Sequence, residues 1–107
     1  MKNSMTKACA ISSKVRQEVL DRDDHRCIIC GEYRVQIAHY ISRGRAGLGI
    51  PQNLGCLCVR CHIEYDNGKY HKEIKNAFKD YLKERYPDWD ESKLTYSKWS
   101  DINGNSL

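Results

Sequence analysis

Cys27-Ile28-Ile29-Cys30 and Cys58-Val59-Arg60-Cys61 are the segments on which the fold turns. A gap of two residues lets one tight turn aim both sulfurs at a single tetrahedral ion, and two such knuckles complete a four-thiolate shell suited to Zn²⁺. The same spacing also admits a pair of disulfides or free buried thiols, although disulfides within Cys-x-x-Cys are rarely structural. Gly31 follows the first knuckle and can take the positive φ that a thiolate turn favours. The stretch between the knuckles is long enough for a hairpin or loop, and it holds His39 and Asn53, while His62 directly follows the second knuckle.

Working outward, 107 residues support one domain, and a single core of that size gains much from a metal bound only by the folded form. No segment approaches the roughly 18 apolar residues of a membrane span, and Met1 to Ala10 has no long apolar run or cleavage-like region. The expectation is no membrane association and a cytoplasmic setting, in a bacterial or phage-infected host cell. Two cysteines are left over: Cys56 is expected beside the knuckles and Cys9 in a flexible tail over residues 1–11, and unpaired thiols suit a reducing compartment.

The net charge of +4 does not by itself imply a nucleic-acid partner. Its distribution says more. Acidic residues gather at Asp21, Asp23 and Asp24 and again at Asp88, Asp90 and Glu91, whereas Arg34, Arg43, Arg45 and Arg60 occupy the centre, followed by Lys69, Lys72, Lys75, Lys79 and Lys83. The late lysines read equally well as a polyanion-binding face or as an ordinary solvated helix face.

Ser12 or Ser13 is a plausible N-cap for a helix of about three turns ending near Asp23, with Val15, Val19 and Leu20 as its apolar stripe. Val35, Ile37 and then Tyr40 to Ser42 suggest a strand. Arg43 to Pro51 holds three glycines and a proline and reads as a flexible loop whose arginines could approach phosphate closely. A helix is expected from His62 to near Asn67-Gly68, and a second from His71 to Arg85 with Ile74, Phe78, Tyr81 and Leu82 facing the core. Pro87 ends it. Beyond lie Trp89, Leu94 and Trp99 as isolated anchors and one short helix around Ser92 to Trp99.

The run Cys27-x-x-Cys30, Ala38-His39-Tyr40-Ile41-Ser42-Arg43-Gly44-Arg45-Ala46-Gly47, Asn53-Leu54 and Leu57-Cys58-x-x-Cys61-His62 resembles the HNH endonuclease family, in the cysteine-knuckle form found among phage and mobile-element proteins. The resemblance implies a small α+β fold with a ββα-metal (His-Me finger) core: a hairpin carrying the first histidine, a loop with the asparagine and a helix carrying the last histidine, clamped by a structural zinc site of four cysteines. An N-terminal and a C-terminal helix flank this core. The nuclease domain spans 12–86, with a C-terminal extension over 87–107.

What the resemblance implies for the site is specific. His39 matches the general base that takes a proton from the water attacking a DNA phosphodiester, a task suited to an imidazole because its pKa lies near working pH. Asn53 matches the asparagine that holds the loop against the hairpin, and His62 matches a ligand of one catalytic divalent ion, Mg²⁺, Mn²⁺ or Ni²⁺. The family usually has a metal-binding Asp or His just before the base, where this chain has Ala38. Asp66, four residues after His62 and so on the same helix face, is a candidate second ligand. An alternative register makes His39 the ligand and Tyr40 the occupant of the base position. Arg43, Arg45, Lys69, Lys72 and Lys75 are the candidates for DNA phosphate contact, and a homodimer or a phage packaging partner would fit the family. Two rival classes are a zinc-stabilised DNA-binding module that Ala38 has weakened catalytically, and a zinc-knuckle interaction domain.

Overall fold

Where a loose tail was expected, the described residues open with a helix. In the computed structural model, which describes residues 4–97, Ser4–Cys9 forms α1, with Cys9 buried. Gly49 N donates to Ala8 O at 2.9 Å, so the segment is tied to the central loop by backbone bonding. Six residues are fewer than two turns, too short for an apolar period to show.

Ser12 resolves the next boundary. Its backbone is extended and its side chain accepts from Val15 N at 3.1 Å, opening α2 (Ser13–Arg22). Val19 packs with Leu54 and Cys56 in a small core against α2. At the helix end Asp23, read from sequence as one of an acidic cluster, is buried at 6% exposure. Arg22 explains the burial, because all five of its N–H donors are spent. Nε and Nη2 reach both oxygens of Asp23 at 2.7 and 3.0 Å, Nη1 reaches Pro51 O and Tyr86 Oη, and Nη2 reaches Leu54 O. Cys56 N and the Tyr81 hydroxyl donate to the same carboxylate. One ion pair thus joins α2 to the sheet and to the last long helix.

Strand β1 (Val35–His39) pairs antiparallel with β2 (Leu54–Cys58), from Val35 opposite Cys58 to His39 opposite Leu54. The strand expected to continue through Ser42 stops at His39, because Tyr40 and Ile41 turn to bond Asn53 instead. The chain runs from β2 directly into α3 (Val59–Asn67) and then α4 (His71–Arg85). The order strand, loop, strand, helix is that of a small α+β protein. α4 keeps the expected bounds. Its Ile74, Phe78 and Leu82 meet Leu57, Ala38, Tyr40 and Tyr65 in the main core. The Tyr40 ring sits edge-on to Phe78 and Trp89, with centroids 5.4 and 5.8 Å away.

The helix expected over Ser92 to Trp99 is replaced. A single 3₁₀ turn, Glu91–Lys93, is capped by the Asp90 side chain, Leu94 is buried, and Thr95 bridges to Gly47. Trp99 lies outside the described residues. Among the described residues no helix is long and apolar enough to cross a membrane.

Candidate functional site

Both knuckles are built by local backbone. In the first, Gly31 takes φ +83°, its N–H reaches Cys27 O at 2.9 Å, and Cys27 N reaches Glu32 O at 2.8 Å. A backbone N–H from Glu32 stabilises the Cys30 thiolate and brings that group down to about 7. In the second, Cys58 is the N-cap of α3, its Sγ accepting from Cys61 N at 3.4 Å. The helix therefore starts at Val59, three residues before the expected His62, because the Cys58 thiol serves as its cap.

The sulfurs of Cys27, Cys30, Cys58 and Cys61 lie within 4.8 Å of one another, with 3.6 Å between Cys30 and Cys58. A tetrahedron with Zn–S bonds of about 2.3 Å has edges of roughly 3.8 Å. All four are free thiols, so the disulfide reading falls away. Burial pushes the Cys58 and Cys61 thiols up, which makes a thiolate cluster costly without a cation to offset it. The four cysteines could hold a structural metal such as zinc. Ile28 N bonds Cys56 O at 2.9 Å, which clamps the first knuckle to β2, and Cys56 lies beside it as expected. Burial raises the Cys56 thiol to about 12, marking it as an inert core residue.

His39 ends β1, with Nε2 2.9 Å from the carbonyl of Cys9. A carbonyl only accepts, so Nε2 carries the hydrogen and Nδ1 keeps the lone pair. Burial holds this histidine below its usual range despite the Cys9 bond, and the charges of Arg43 and His62 act in the same direction. His39 borders a cleft of about 340 Å³ together with Arg45, Tyr65, Asp66, His71 and Lys75. His62 stands beside it on α3, Nε2 3.7 Å from Asp66 Oδ2, one helical turn on. Among the described residues only the four cysteines gather three or more potential ligands closely enough to share an ion. His62 and Asp66 are a pair, and Ala38, at 2% exposure in the core, adds nothing to them.

Asn53 is wholly buried and does not line the cleft. Its Oδ1 accepts from Ile41 N at 2.8 Å, and Nδ2 donates to Ile41 O at 3.1 Å and Leu48 O at 2.9 Å. One amide thereby closes the loop between the strands. Gly47 passes so close that an added Cβ would stand 1.6 Å from Ile41 O. The stretch expected to be flexible is thus bonded on both sides, and Arg43–Arg45 is a 3₁₀ turn that exposes both arginines. Of the three lysines singled out in the sequence, Lys75 lines the cleft, whereas Lys69 and Lys72 are exposed elsewhere.

Sequence reading missed three participants. The Cys9 carbonyl is a backbone atom and has no residue signature. Tyr65 and His71 look like ordinary helix residues, yet their rings stack at 5.3 Å and 13°, and the Tyr65 hydroxyl donates to Tyr40 O at 2.5 Å.

No family model matches the chain, and no curated protein does. The fold does match part of a solved structure, that of the Type IV phosphorothioation-dependent restriction endonuclease ScoMcrA. The TM-score is 0.64 at 20% identity, over 78% of this chain and 18% of that one. At that identity the likeness is one of fold, and the chain spans less than a fifth of the length of that endonuclease.

Proposed function

We propose that the chain is a DNA endonuclease of the HNH type that hydrolyses phosphodiester bonds with the help of a divalent ion. The observation that carries this reading is His39. It is a neutral imidazole with its hydrogen fixed on Nε2 by Cys9 O, and it borders a cleft lined by Arg45 and Lys75 on one hand and Asp66 on the other. Its Nδ1 removes a proton from water as that water attacks phosphorus. Arg45 and Lys75 hold the phosphate, and Arg43 on the same turn as Arg45 holds its neighbour. Asn53 is a positioning residue, locking the loop that carries the arginines. His62 and Asp66, 3.7 Å apart, have the donor types and spacing to hold Mg²⁺, Mn²⁺ or Ni²⁺ between them, the rest of the shell being left to water and substrate. When bound, such an ion supplies stabilisation of the charge that builds on the phosphate oxygens.

A second reading is favoured by Ala38, which has no donor atom where the family usually has a metal ligand and lies buried in the core. In it the chain is a zinc-stabilised DNA-binding module with weakened catalysis. Supercoiled plasmid incubated with the protein and Mg²⁺, Mn²⁺ or Ni²⁺ separates the two. Nicked or linear circles from the parent, and none from His39→Ala, are expected of the nuclease. Retarded but intact plasmid in every metal would overturn it in favour of the binding module.

A further inference from the structure

We propose that His71 is a second catalytic residue of this cleft, the acid that protonates the departing 3′ oxygen; the inference rests on the nuclease reading. His71 is the first residue of α4 and borders the same cleft as His39. Its Nδ1 is engaged by the carbonyl of Tyr65, so Nδ1 is the donor there and Nε2 remains for the cleft. Its ring lies flat on Tyr65, which is itself buried at 7% exposure. The Tyr65 hydroxyl in turn holds the carbonyl of Tyr40, the residue after His39. One residue therefore spaces the two imidazoles, Tyr65 gripping the acid through its backbone carbonyl and ring and the residue after the base through its hydroxyl. Lys75, one turn along α4 from His71, also lines the cleft, where it can hold the phosphate between them.

In-line displacement needs a base at the entering oxygen and an acid at the leaving one. The cleft offers one imidazole from β1 and one from α4. As His39 Nδ1 takes a proton from water, the new O–P bond forms, the P–O3′ bond breaks, and the Nε2 proton of His71 passes to the 3′ oxygen. The ends are a 5′-phosphate and a 3′-hydroxyl. His39 finishes protonated and His71 neutral, and exchange with solvent resets both.

The Tyr65 bond also tethers α4 to α3, so the test uses His71→Asn, whose amide can still donate to that carbonyl but cannot supply the proton. Parent and variant are compared on a duplex with an ordinary scissile linkage and on one whose bridging 3′ oxygen is sulfur, a leaving group that departs without protonation. Both run in the same metal, with melting curves to verify the fold. The expected result is a loss of about 10²- to 10⁴-fold on the oxygen substrate and a near-parental rate on the sulfur substrate. An equal loss on both, or no loss on either, overturns the assignment while leaving the nuclease intact. A parent that cuts neither substrate in any metal removes the nuclease reading and this one with it.

Discussion

On the nuclease reading, the burial of His39, whose ring hydrogen is committed to Cys9 O, sets the pH dependence of cleavage. The protonated form is disfavoured first by burial and then by Arg43 and His62. A base must be neutral to act, so the rising limb of kcat/KM should pass through a value below the usual 6.5. Rates measured from about pH 5 to 8 check this, and a rising limb centred above about 7 would mean another group is the base. Asn53 makes a different kind of claim. Asn53→Ala leaves two half-buried carbonyls and one N–H without the Asn53 side chain, so stability should fall by about 2 kcal/mol in urea unfolding. Activity should fall only through loosening of the loop. At this scale the order of His39, Asn53 and His62 was legible through a family resemblance. Their division into a cleft residue, a buried clamp and a helix-face neighbour was not, because it depends on which way each strand or loop position points.

The elements divide by how much periodicity they carry. α2 and α4 are long and amphipathic, and their bounds could be read from the apolar stripe and cap. β2 is buried at all five positions and contains Gly55, so it has no alternation to read. α3 was misplaced at its start because Cys58 is not an ordinary cap residue, and its role emerges only when the sulfur is counted as an acceptor. That role yields a prediction about the element as a whole. Cys58→Ser should remove a metal ligand and should release zinc, costing enough folding free energy to unfold much of the domain. Cys27→Ser should do the same through the other knuckle. Zinc content and circular dichroism of both variants test this, and normal melting of either with no zinc bound would show that the four thiols do not hold the fold. The Arg22–Asp23 pair could not be read from sequence, because its partners in β2 and α4 lie far along the chain.

Across the molecule, the two knuckles meet at β2 and the start of α3, α1 supplies the carbonyl that holds the His39 ring, and α4 contributes His71 and Lys75 to the cleft. The turn bearing Arg43 and Arg45 exposes both side chains, and the nuclease reading assigns them to phosphate and not to bases. Arg43→Ala and Arg45→Ala should each weaken DNA binding alike across sequences and lessen the slope of log K against log salt by about one. A shift in preferred sequence would assign them to bases. The likeness to part of ScoMcrA concerns this arrangement of elements, and the chemistry must be tested on the chain itself. The most direct test is cleavage of a duplex in water enriched in oxygen-18, with mass analysis of the ends. One heavy oxygen on each new 5′-phosphate, produced by the parent and absent from His39→Ala, is the result the account predicts. Ends without the label, or no cleavage in any divalent metal, would contradict it.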